Sequence, residues 1–223
     1  MMIVNGEYDI ALKFEENAVS VLCMENPRMF SSAIHSLWNQ INGMEGNWIL
    51  SESEKMLNIS KKIDCIFNPF SVDYNDRKVL NKLYQELLFA AQGEYYESFG
   101  VMNSEIINLL TQLLQTQPYR LDIRLDLDIV GLLKLYEVKF ETEDVDLLDK
   151  MITYIKIMHQ VCGIEIFTFI NLKSYLTEME IVQLYKSAFY EKVYLWLVEN
   201  RYSRTLSDEN VVIFDKDLCI IKP

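Results

Sequence analysis

Residues 167–186 read FTFINLKSYLTEMEIVQLYK. An apolar, β-rich run stops at one polar residue, Asn171. A short loop follows, and then a helix opened by a T-x-x-E capping box, Thr177 with Glu180. Unalternated runs of β-branched and aromatic residues suit a parallel strand covered on both faces. Ile181, Leu184, Tyr185, Ala188 and Phe189 continue the helix, and VYLWLVE (193–199) offers the next strand. Strand, helix, strand is one right-handed crossover unit, so this stretch predicts an α/β head. In nucleotide-splitting enzymes with such a head, the polar residue ending the strand is usually an aspartate that organises magnesium. Here it is the neutral Asn171.

Outward from this unit, VVIF (211–214) and LCII (218–221) read as further strands. At the other end of the chain, the bursts YDIALKF (8–14) and AVSVLCM (18–24), separated by EEN, predict a β-hairpin at a sheet edge. Pro27 suits a first helical position, and a rough apolar stripe runs on to Gly43. NWIL (47–50) and IDCIF (63–67) predict strands, the second ended by Asn68-Pro69. Residues 75–92, 103–116 and 144–162 each carry a 3.6-residue stripe, with a shorter segment near 128–136. Helices of this length bury their stripes against each other or a partner. The expected organisation is therefore a discontinuous α/β head from 1–70 and 163–223, with a helical subdomain, 71–162, inserted.

Such a frame hydrolyses nucleotides only with a glycine-rich phosphate cradle and its lysine. Gly6, Gly43, Gly46, Gly93, Gly100, Gly131 and Gly163 begin no G-x-x-x-x-G-K-[ST] run and form no G-x-G-x-x-G. His35 and His159, the two histidines, fall in helical stretches far apart, and no G-x-S-x-G elbow is present. The residues point to a binding protein on a degenerate P-loop NTPase-like frame, not to an enzyme. Cys23, Cys65, Cys162 and Cys219 form no CxxC pair and sit among apolar neighbours, as buried free thiols of a reducing cytoplasm do. No run approaches the roughly 18 apolar residues of a membrane helix, and no export signal opens the chain. The net charge is −12, from 21 basic and 33 acidic residues. That balance argues against nucleic acid, yet a sum does not locate the lysines, and one groove can still be basic.

Two acidic clusters flank the short helical segment. LDIRLDLD (121–128) brings Asp122, Asp126 and Asp128 close in sequence; ETEDVD (141–146) adds Glu141, Glu143, Asp144 and Asp146. Calcium takes roughly six to eight oxygens in irregular geometry, and the two clusters could supply them. ETEDVD equally fits the acidic start of a helix, where carboxylates favour the dipole.

Together, IFTFINLKSYLTEMEI (166–181), VYLWLVEN (193–200), VVIFDKDLCII (211–221), YEVKFETEDVDLLDKM (136–151) and IFNPFSVDYNDRKVLNKLYQEL (66–87) carry a resemblance. The chain resembles the accessory spacer-acquisition proteins of type II-A CRISPR systems, the Csn-two family, over essentially its full length. The resemblance implies a head like that of ABC-type ATPases without the phosphate loop, plus a helical extension. It implies a homotetrameric ring, stabilised by calcium, that holds double-stranded DNA by its free ends in a central channel. It further implies partnership with the CRISPR integrase and effector nuclease, and no nucleotide hydrolysis. Val138-Lys139-Phe140-Glu141-Thr142 matches the family's segment after its acidic stretch, which makes Asp122, Asp126, Asp128, Glu141 and Glu143 the implied calcium ligands. Arg124, interposed among these acids, departs from the pattern. Lys134, Lys139, Lys150, Lys156 and Lys173 are the candidate channel lysines, with the helix face Arg77, Lys78 and Lys82 a second choice. A cryptic nucleotide-binding enzyme, or a protein-only scaffold whose acidic surface docks basic partners, are the alternatives.

Overall fold

The apolar runs that read as covered strands form the middle of one sheet. In the computed structural model, which describes residues 1–142 and 145–221, the first elements are β1 (Met2–Asn5), β2 (Ile10–Lys13), β3 (Val19–Met24) and α1 (Pro27–Ile41). β4 (Trp48–Glu52), β5 (Lys55–Leu57), α2 (Ile59–Lys62) and β6 (Ile63–Ile66) follow. Then come α3 (Arg77–Gln92), α4 (Tyr96–Gln115), α5 (Ile129–Leu135) and α6 (Leu147–Cys162). The last are β7 (Ile166–Ile170), α7 (Glu178–Tyr190), β8 (Tyr194–Glu199), β9 (Glu209–Phe214) and β10 (Ile220–Ile221). The chain divides into two compact units, Met1–Tyr74 with Glu143–Pro223, and Asn75–Thr142. Helix α6 lies in the first unit and α3, α4 and α5 in the second.

In the first unit a six-stranded sheet runs β10-β9-β3-β8-β7-β6, parallel except for β10. A second, antiparallel sheet runs β2-β1-β4-β5. The two bursts expected to pair as a hairpin do not. β2 pairs with β1, while β3 lies between β8 and β9. Burial explains the difference: every residue of β3 is buried, as in an interior strand, whereas β2 alternates buried and exposed, as at an edge. A core of Ile3, Leu12, Leu22, Met24, Leu50, Ile166 and Val198 joins residues of both sheets, and α1 adds Met29, Ala33 and Leu37. Trp48 and Trp196 meet edge to face at 5.2 Å within it. The Trp48 indole N–H, buried there, donates to the Ala33 carbonyl at 3.0 Å.

Helix ends follow the local chemistry. Asp146 caps α6 by accepting the Asp149 amide at 2.9 Å. Gly163 ends α6 at φ 70°, where a residue without Cβ meets no penalty. The capping box of α7 is formed, with the Thr177 amide donating to Glu180 at 2.7 Å. In the second unit Asp76 caps α3, accepting the amides of Lys78 and Val79. The Tyr84 hydroxyl donates to the Val138 carbonyl at 2.8 Å, and Asn75 pairs with both backbone groups of Phe140. Those bonds hold the segment after α5 against α3.

Candidate functional site

In open parallel sheets the ligand crevice lies outside the C-terminal strand ends. The corner after β3 is a two-residue turn, Glu25-Asn26, before Pro27 opens α1. The Asn26 side-chain oxygen accepts the amides of Arg28 and Met29 at 3.0 and 3.2 Å, and its nitrogen donates to the Lys216 carbonyl at 2.9 Å. The amides a helix start offers to an anion are taken by the protein itself. Glu25, which precedes them, adds a negative group.

Asn171, at the end of β7, adopts the left-handed conformation, φ 56° and ψ 39°. Asparagine tolerates that region better than most residues. Its side-chain oxygen accepts the Asn200 amide at 2.9 Å, and its own amide donates to the Val198 carbonyl at 2.9 Å. Its job in this fold is to tie the turn after β7 to the end of β8.

Beside it lies a buried charge network. The Lys173 ammonium meets both carboxylate oxygens of Glu209, at 2.8 and 2.9 Å, with the lysine side chain 12% exposed and the glutamate 0%. Glu209 also accepts the Tyr185 hydroxyl at 2.6 Å and the Leu206 amide at 2.9 Å. Glu199, ending β8, is itself buried and accepts the Lys173 amide at 3.1 Å. Burial pushes the Glu199 carboxyl up to about 7, against the pull of the Lys173 amide and ammonium, with Glu209 adding to the rise. Burial and the Glu209 charge also push the Tyr185 phenol up, so it stays a donor. Cys23 is pushed up to about 12 by burial, then by Glu25 and Glu199. It is a neutral packing thiol, not a nucleophile. The free thiols are not uniformly hidden: Cys65 is buried, Cys162 half-buried and Cys219 exposed.

The expected channel lysines separate by environment. Lys134, in the last turn of α5, and Lys139, just beyond that helix, are exposed in the second unit. Lys156 is exposed on α6, while Lys150, half-buried on the same helix, donates to the Phe70 carbonyl at 2.8 Å. Lys173 differs from the others in that its ammonium is held by Glu209 in the interior. Arg77, Lys78 and Lys82 are exposed on α3.

Among the described residues the expected calcium ligands do not gather. Among the described residues no group of three or more His, Cys, Asp or Glu side chains is arranged to hold a metal ion. The Asp122 carboxylate accepts the neighbouring Ile123 amide at 2.9 Å, and that of Asp128 caps α5 through the Gly131 amide at 2.8 Å. Asp126 and Glu141 are exposed. Glu143 lies outside the described residues. The described acids of one chain therefore do not make the many-oxygen cage that calcium takes. Glu199, Glu209 and Tyr185 escaped the sequence reading. A lone acid ending the apolar run VYLWLVE was the available signal for Glu199. Nothing in spacing connects Lys173 with a glutamate 36 residues away.

No described helix is long and apolar enough to cross a membrane. The fold defines a mixed α/β protein in which the turn after β3 is closed by its own side chains. Residues 40–218 match the family described as CRISPR-associated protein (Cas_Csn2), and the chain belongs to that family. A comparison with curated proteins finds no match.

Proposed function

We propose that this CRISPR-associated protein is a non-enzymatic, sequence-independent binder of double-stranded DNA ends that serves spacer acquisition in the cytoplasm. Four copies form a ring around the duplex, beside the CRISPR integrase and effector nuclease. The observation that carries the reading is the corner after β3. Asn26 occupies the amides of α1 that a phosphate would need, and Glu25 repels one. A head of parallel strands ordered β9-β3-β8-β7-β6 without that cradle is a degenerate NTPase-like frame, suited to assembly and binding.

Exposed Lys134 and Lys139, with Lys156 on α6, are the groups for phosphate contact. Such contacts position a duplex without reading its sequence. An overall charge of −12 confines the attraction to places where cations are presented. Calcium belongs to this reading as a stabiliser of the assembly, and no step of DNA capture passes through it. Gel mobility of linear and closed-circular duplex, in calcium and in chelator, tests the proposal. Retention of linear duplex alone, lost on chelation, is the expected result. Equal retention of both forms, or of neither, overturns threading over an end.

A further inference from the structure

Residues 119–127, YRLDIRLDL, join α4 to α5 inside the second unit and belong to no helix or strand. The odd positions are apolar, Tyr119, Leu121, Ile123, Leu125 and Leu127; the even ones are charged, Arg120, Asp122, Arg124 and Asp126. Such alternation is the pattern of a strand with one apolar face. Among the described residues, however, this stretch makes no backbone–backbone hydrogen bond. The Ile123 amide donates to Asp122 at 2.9 Å, and the Leu125 carbonyl accepts from the Asn103 side chain of α4 at 2.9 Å. Both groups belong to odd residues. In a strand, odd backbone groups face one edge and even ones the other, so the open edge is that of the charged residues. Apolar surface is open here too: no residue of α4 is buried, and Leu113 and Leu125 are 60% and 62% exposed.

We propose that residues 119–127 of two copies of this chain pair as antiparallel strands about a two-fold axis at Ile123. That register sets Ile123 against Ile123, Asp122 against Arg124, Leu121 against Leu125, Arg120 against Asp126 and Tyr119 against Leu127 of the second copy. Every charged residue faces an opposite charge, and every apolar residue an apolar one. Other registers lose this match. An axis at Asp122 or Arg124 sets acid against acid and arginine against arginine, and an axis between residues sets charged against apolar. An axis at Leu125 opposes Asp122 to Asp128, and one at Leu121 opposes Arg124 to Pro118, which has no amide to give. The charges therefore select a second copy as the occupant of this edge, and its even backbone groups gain their partners. The pairing rests on the ring reading for the assembly of copies, and names one surface at which two of them meet.

Cysteine cross-linking of the full chain in calcium, without DNA, tests the register. With even residues exchanging the hydrogen bonds, the two Ile123 residues form a non-hydrogen-bonded pair, Cα atoms about 4.5 Å apart and within disulfide reach. A Cys219→Ser background removes the exposed native thiol. There Ile123→Cys should give a covalent dimer on mild oxidation roughly tenfold faster than Leu121→Cys or Leu125→Cys alone. Leu121→Cys and Leu125→Cys proteins should cross-link when mixed. Charge reversal is the second arm, at exposed positions. Arg124→Asp should weaken self-association roughly tenfold in sedimentation, and Asp122→Arg added to it should restore the association. Equal cross-linking at 121, 123 and 125, or none at 123 in a chain that self-associates, overturns the pairing and leaves the ring standing. A chain that stays monomeric overturns both. Should Ile123→Cys not fold, the charge pair decides: Arg124→Asp associating as tightly as the unsubstituted chain removes the pairing.

Discussion

At Glu199, buried at the end of β8, burial and charge conflict. Its carboxyl sits at about 7 in the folded chain against an ordinary value of 4.5. Between those values the folded state binds more protons than the unfolded one, so stability falls as pH rises through the window and is flat above it. The full span corresponds to about 3 kcal/mol. Denaturant unfolding at about pH 5 and about pH 8 should show this slope in the unsubstituted chain and not in Glu199→Gln. A slope kept by the variant would assign it to another group. Lys173→Ala strands the fully buried Glu209 carboxylate without its cation, and should cost about 3–5 kcal/mol in the same measurement. A loss under about 1 kcal/mol would mean that the Tyr185 and Leu206 donors suffice.

At the scale of elements, most helices and the covered strands were readable in the sequence, because periodicity and caps are local. The T-x-x-E box placed α7, and Pro27 placed the start of α1. Pairing was less readable. Two neighbouring β-rich bursts look alike whether they meet as a hairpin or enter different sheets, and only the burial of β3 on both faces separates the cases. The stripe of α6 predicts a helix of the inserted subdomain, 71–162, whereas the helix lies in the first unit, because a stripe does not say what covers it. Asn171 was legible as a departure from an acidic strand end, but its left-handed backbone and its bond to the Asn200 amide were not. Asn26 was not read at all, since a helix cap and a lost phosphate loop look the same as a two-residue turn. Asn26→Ala should cost about 1 kcal/mol in thermal or denaturant unfolding, from the cap on α1. Asn171→Asp should keep the fold and show no heat with ATP and magnesium in calorimetry, because the corner after β3 still lacks a cradle. Saturable heat from that variant would revive the nucleotide-binding alternative.

For the whole molecule the deciding quantity is where positive charge is presented on an acidic chain. On the proposed reading, duplex affinity comes from phosphate contacts, each releasing counterions. The logarithm of affinity then falls linearly with that of salt, by about 0.9 for each phosphate neutralised. Lys134 and Lys139 are exposed in the second unit, and neither supports the core of the first. Their joint exchange, Lys134→Glu with Lys139→Glu, should therefore leave the oligomer intact by sedimentation. DNA binding should be abolished in the same variant. The milder Lys134→Gln with Lys139→Gln should bind more weakly across all sequences, with a salt slope shallower by about 2 or more. Because such contacts carry no base readout, the loss should be the same for AT-rich and GC-rich linear duplexes. An unchanged slope in the glutamine variant would take these two lysines out of the interface and move the contact to Lys156 on α6. A loss confined to one sequence would be a different failure, since it would mean that the protein reads bases.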